Sequence, residues 1–163
     1  MTDTLLHATA VAVALDAGGD LHGALLLGPS GSGKSDLALR LIDGCPFGRS
    51  RLIADDQVVL TVDGARVSLS APAPLFGLLE VRGVGLVSVE PAAPTQLSAL
   101  FDLDRSPERL PEPARRPVAP GLPEAVVFAL HPFEASAPAR VRAALRSLLS
   151  GQSREAAHHI GPN

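Results

Sequence analysis

Residues 5–15 read LLHATAVAVAL, and the Ala/Val alternation predicts a half-buried strand that begins near His7. Asp16-Ala17-Gly18-Gly19-Asp20 supplies a turn, and residues 21–27 return as a second strand, so the opening reads as a hairpin. Leu37, Ala38, Leu41 and Ile42 then fall at helical spacing with polar Asp36, Arg40 and Asp43 between them. This predicts a helix over 34–43, closed by Gly44. Residues 51–54 form a short apolar run that ends in two carboxylates, Asp55 and Asp56. After it, 57–62 and 65–69 flank Asp63-Gly64, a hairpin signal, so the region past the first helix is expected to be β-rich and partly antiparallel.

The second half is less regular. Residues 75–89, LFGLLEVRGVGLVSV, are apolar but carry Glu80, Arg82, Gly83 and Gly85, which burial alone would not favour. Eight prolines fall between 91 and 123, a composition that predicts a contact-ordered loop or a flexible insertion. Residues 124–130 recover as a last strand. A helix is predicted over 135–149, with Val141, Leu145, Leu148 and Leu149 on one face and Arg140, Arg142 and Arg146 on a solvated cationic face. The expected organisation is one domain over 1–150, with 91–123 as its variable segment and a disordered tail over 151–163 that includes His158 and His159.

Composition narrows the partners. The 163 residues are 46% apolar, enough for one domain with a real core. A net charge of −3 without a basic stripe argues against nucleic acid as a partner. No apolar run reaches the roughly 20 residues of a membrane span. Met1-Thr2-Asp3-Thr4 lacks a basic signal-peptide start, so the expectation is a cytoplasmic protein without a membrane partner. The single Cys45 cannot form an internal disulfide and is expected to be a small buried filler.

The chemistry centres on Gly28-Pro29-Ser30-Gly31-Ser32-Gly33-Lys34-Ser35, which matches G-x-x-x-x-G-K-[ST] at every fixed position. An apolar strand precedes it and a helix follows, which is the context a phosphate loop requires. Glycines let the backbone turn so that N–H groups face inward at the positive end of a helix, a site for a polyphosphate. Lys34 would reach the β- and γ-phosphates, and the Ser35 hydroxyl would sit on Mg²⁺, so ATP and Mg²⁺ are the expected ligands.

Asp55 and Asp56 end a strand as metal- or base-holding carboxylates often do; the alternative is an ordinary solvated turn. Only about twenty residues separate Lys34 from Asp55, too few for the usual doubly wound spacing. In an extended segment Glu80 and Arg82 face the same side, which suits a metal and a phosphoryl group together or a structural ion pair.

GPSGSGKSDLALRLI, RLIADDQVVL and LLEVRGVGLVSV, in this order, resemble the phosphate loop, the Ala-Asp-Asp segment and the signature sequence of the bacterial HPr kinase/phosphorylase family. The likeness covers about residues 5–90, and His7 resembles the histidine that opens the family's catalytic domain. The resemblance implies an α/β fold with a mixed β-sheet, similar to the phosphoenolpyruvate carboxykinase core. It implies an ATP-dependent serine protein kinase acting on a serine of HPr, a phosphocarrier of the sugar phosphotransferase system, or on an HPr-like protein. Many members also remove that phosphate with inorganic phosphate as acceptor.

By position, the resemblance makes Asp55 the proton acceptor and sets Lys34 on the phosphates. It gives Ser35 and Glu80 to Mg²⁺, where the strand-end reading also places Asp56, and His7 and Arg82 to the active site, with Arg109 matching a distal arginine of the family. The start at the catalytic unit is similar to short members from some Proteobacteria, so a homo-oligomer is possible but a hexamer is not implied. Pro117-Val118-Ala119-Pro120-Gly121-Leu122-Pro123 stands where the family has a basic loop linked to dephosphorylation, which predicts weak or absent phosphorylase activity. Two rival readings remain at this stage: a phosphate-loop kinase of a small metabolite, and a nucleotide-gated regulator that transfers no phosphate.

Overall fold

The computed structural model describes residues 2–158, with side chains as far as 151. The elements in order are β1 (Thr2–His7), β2 (Thr9–Ala14), β3 (Leu21–Leu27), α1 (Lys34–Asp43), β4 (Arg51–Ala54), β5 (Gln57–Asp63), β6 (Arg66–Ser70), β7 (Leu78–Val81), β8 (Gly85–Ser88), β9 (Thr95–Asp102), β10 (Ala114–Pro117), β11 (Glu124–Ala129) and α2 (Ala137–His158). Nine strands form one mixed sheet, in the order β1-β5-β6-β9-β3-β2-β4, with β11 also on β9 and β10 on β11. The expected α/β class with a mixed sheet is what the chain adopts.

The alternation in 5–15 has a different cause from the one predicted. The run is two strands, not one: β1 pairs with β5, whereas β2 pairs with β3 and β4. The exchange falls at Ala8, whose N–H donates to the Asp56 carbonyl at 3.2 Å. Every residue of β2 is buried rather than half-buried. Val11 and Val13 face one core with Leu37, Leu41 and Leu145 of the helices; Ala8, Ala10 and Ala12 face a second core with Val58, Leu60, Val67 and Leu69. The period of two therefore records a large and a small face, because the sheet curls until β5 and β6 cover the side away from the helices.

The proline-rich segment holds the central strand. Residues 95–102 form β9, parallel to β3 through residues 23–27 and parallel to β11 through residues 127–129, while Thr95 and Gln96 pair with β6. Leu100 and Phe101 are fully buried, and Phe101 stacks on Phe128 with centroids 5.6 Å apart. Prolines at 91, 94, 107, 111 and 113 lie outside this strand, where a missing N–H costs no ladder bond.

Residues 75–89 fold back as the two-stranded β7–β8 hairpin, so Arg82 sits in its turn and not in an extended run with Glu80. The last helix passes the expected end at 149 and reaches His158; residues 159–163, with His159, lie outside the described residues. Arg140 and Arg146 are exposed, as the expected solvated face requires, whereas Arg142 is partly buried, and the exposed pair also find partners. Arg146 donates to the Leu15 carbonyl at 3.2 Å, Arg140 pairs with Glu134 at 3.0 Å, and Arg142 Nη1 is buried without a hydrogen-bond partner. No helix of the described residues is long and apolar enough to cross a membrane.

Candidate active site

The glycine-rich segment takes the shape its composition allows. Gly31 and Gly33 have φ of 81° and 95°, and Gly33 caps α1 in the left-handed conformation. Open space surrounds a Cβ placed on Gly31, whereas one on Gly33 would meet Cζ of Phe133 at 2.9 Å and Cβ of Pro132 at 3.2 Å. Lys34 opens α1 and is 7% exposed, its Nζ donating to the Gly28 and Pro29 carbonyls at 2.6 and 2.9 Å. Burial pulls its pKa down from the ordinary lysine value, and the nearby Asp56 and Asp55 oppose that shift. Ser32 Oγ is buried with no hydrogen-bond partner, an orphan donor inside the loop. A concave turn with a buried cation and an unused hydroxyl fits a polyphosphate.

Asp55 closes the opposite wall. It is 6% exposed, so the solvated-turn alternative fails for this carboxylate. Its Oδ1 accepts Thr9 Oγ1 at 2.9 Å and Ser35 Oγ at 2.7 Å, and its Oδ2 accepts the Glu80 N–H at 3.1 Å. Three elements thus converge on one side chain: β2, the start of α1 and the β7 strand. A carboxylate offers about four lone-pair directions, so Oδ2 keeps one toward the cleft. Asp56 takes φ of 67°, a conformation that non-glycine residues hold where a site demands it. Its Oδ1 lies 3.2 Å from His7 Nδ1, with both side chains more than half exposed.

Together these residues line a cleft of about 290 Å³, with Ser30, Gly31, Gly33, Lys34 and Ser35 on the loop, Glu80 and Arg82 on the hairpin, and His7, Thr9, Asp55 and Asp56 beneath. Arg109 is the one expected catalytic residue not found there; it lines a separate cavity with Phe101, His131, Glu134 and Arg140. Five residues of the cleft, Thr9, Asp36, Leu39, Val81 and Phe133, were not expected from the sequence, and two of them bear on its chemistry. Thr9 could have been found two positions past His7, on the same side of an extended chain. Phe133 had no signal, because it follows the last strand in a loop.

For a metal, Ser35 donates its proton to Asp55 and so keeps oxygen lone pairs free, and Glu80 faces the same cleft. Among the described residues no three His, Cys, Asp or Glu side chains converge as a cage. That donor set fits Mg²⁺, which takes one or two protein oxygens and completes its shell with phosphates and water.

Cys45 is half-buried rather than buried. Burial raises its pKa, but the Ser50 hydroxyl, 3.2 Å from Sγ, and the N–H groups of Arg49, Ser50 and Phe47 outweigh that and bring it to about 7. Alkylation by iodoacetamide is therefore expected to rise with pH to half its maximum rate near pH 7. Ser50→Ala should move that midpoint upward; a midpoint near 9, the ordinary thiol value, would contradict the geometry.

A strand, a glycine turn of positive φ, a helix opening on a buried lysine and an adjoining buried aspartate define an α/β protein with a phosphate-loop cradle. More narrowly, the family model described as HPr Serine kinase C-terminal domain matches residues 4–93, and the chain belongs to that family. It is similar to the HPr kinase/phosphorylase of Brevibacillus brevis, 43% identical over 68 residues, which are 41% of this chain and 21% of that protein. The Lactiplantibacillus plantarum HPr kinase/phosphorylase is 46% identical over 68 residues, 41% of this chain and 20% of that one. The matched stretch thus spans about a fifth of these relatives' length. In fold, the chain is similar to the Hpr(Ser) kinase/phosphatase from Coxiella burnetii, with a TM-score of 0.73 and 20% identity over 98% of this chain and 99% of that one.

Proposed function

We propose that the chain is an ATP- and Mg²⁺-dependent serine protein kinase whose acceptor is HPr or an HPr-like phosphocarrier. The observation that supports this best is the Asp55 carboxylate, bound to Ser35 of the phosphate loop and held by Thr9 and the Glu80 N–H. A base fixed by three donors, with one lone pair toward the cleft, suits a hydroxyl acceptor placed in line with a terminal phosphate.

In this reading Lys34 neutralises the β- and γ-phosphate oxygens, and the loop N–H groups orient them. Asp55 Oδ2 takes the proton of the substrate serine as its oxygen bonds to the γ-phosphorus and the bond to the β-phosphate oxygen breaks. Ser35 and Glu80, with Asp56 beside them, would hold Mg²⁺, whose positive charge would offset the charge developing on the phosphates. Arg82, in the hairpin turn, neutralises the transferring group from the open side, and His7 orients Asp56 through their 3.2 Å contact. Arg109, in its separate cavity, has no part in this scheme.

Incubation with γ-labelled Mg·ATP and purified HPr-like proteins tests the proposal. Label is expected on the wild-type acceptor and not on its serine-to-alanine variant. No label on any acceptor, with ATP binding intact, would favour a metabolite kinase or a regulator instead. The labelled acceptor should release little or no pyrophosphate with inorganic phosphate, because residues 118–123 carry no basic side chain and Val118 and Ala119 are packed into the core.

A further inference from the structure

Phe133 is 69% exposed, in a chain whose only aromatic residues are five phenylalanines. A single exposed ring is ordinary on a protein surface, but this one stands against the phosphate loop. A Cβ on Gly33 would meet its Cζ at 2.9 Å and its Cε1 at 3.0 Å, and Phe133 lines the same cleft as Lys34, Ser35, Asp36 and Leu39. The ring does not hang on a free loop. Arg40, on α1, donates from Nη1 to the Glu134 carbonyl at 3.1 Å and from Nη2 to the Pro132 carbonyl, so both neighbours of Phe133 are tied to the helix that the phosphate loop opens.

Sheet order decides what reaches this ring. The loop follows β3; Asp55 follows β4, two strands to one side of β3, and Phe133 follows β11, two strands to the other. A triphosphate cradled by the loop with its terminal phosphate toward Asp55 therefore directs its nucleoside end past Asp36 toward Phe133. We propose that Phe133 is the stacking platform for the nucleotide base, held in place by Arg40. The proposal rests on the reading of the loop as a nucleoside triphosphate site. It adds what that reading leaves open, namely what would favour a nucleotide over a bare polyphosphate.

Base–aromatic stacking is lost on truncation to alanine, so Phe133→Ala is expected to weaken Mg·ATP binding by roughly tenfold to a hundredfold. Binding of Mg·tripolyphosphate, which has no base, should be unchanged, and this also reports that the loop remains folded. Phe133→Trp would place the chain's only tryptophan at the site. Its emission is expected to change on adding Mg·ATP and not on adding Mg·tripolyphosphate. Equal losses for both ligands in Phe133→Ala, or undiminished ATP affinity, would overturn the platform while leaving the phosphate site standing. If the unaltered protein bound neither ligand, the nucleotide reading itself would fall, and the platform with it.

Discussion

Asp55→Asn is expected to lower phosphoryl transfer by roughly a hundredfold to ten-thousandfold while changing Mg·ATP affinity little. The carboxylate is buried and its three donors leave one lone pair toward the cleft, so the substitution removes a proton acceptor without emptying the phosphate cradle. An asparagine oxygen can still accept from Thr9 and Ser35. Its amide then meets the Glu80 N–H, donor against donor, at a local cost of about 1–3 kcal/mol. A modest fall in melting temperature should therefore accompany the kinetic loss. Thr9→Val is the control, since it removes one donor to Asp55 and keeps the base. Single-turnover transfer together with equilibrium nucleotide binding decides the matter. Wild-type turnover in Asp55→Asn would remove Asp55 from the chemistry, and a parallel loss of Mg²⁺ affinity would make it a metal-holding residue instead.

The second large effect is expected at Lys34. Lys34→Ala should weaken nucleotide binding by about tenfold to a hundredfold and reduce transfer at least as much, because one charge serves both states of the phosphates. Burial already lowers the pKa of this lysine, so the ammonium is poorly solvated and gains from an anion placed beside it. The variant also leaves the Gly28 and Pro29 carbonyls without their donor, which loosens the turn. Lys34→Arg should not restore binding, because a planar guanidinium does not fit a space shaped for a point charge. Titration with a fluorescent ATP analogue, run beside the transfer assay, separates the outcomes. A Lys34→Ala protein with unaltered affinity and rate would exclude this side chain from the site.

Much of the site is local in sequence, and that is why it was legible. Eight consecutive residues build the phosphate loop, and the strand, turn and helix around it announce themselves by period within about twenty residues. Asp55 and Asp56 stand at the end of an apolar run, and the likeness of three ordered motifs to one family carried Glu80, Arg82 and His7 to the same cleft. Arg109 had no comparable motif around it, and it lies in another cavity.

What the chain does locally was thus determined by the sequence itself: the glycine turn, α1, the hairpin at Asp63-Gly64 and the last strand. Only the tertiary structure decided which strand neighbours which. Alternation along a strand reports that its two faces differ, not what covers them, so β1 and β2 read as one half-buried element, whereas both faces of β2 are covered. The central strand β9 was hidden for a related reason, since its partners β3, β6 and β11 are distant in sequence and prolines crowd its flanks. Phe133 reaches Gly33 across a hundred residues of chain because β3, β9 and β11 run parallel and end on the same side. No pattern within either segment could have announced that contact, since sheet pairing alone creates it.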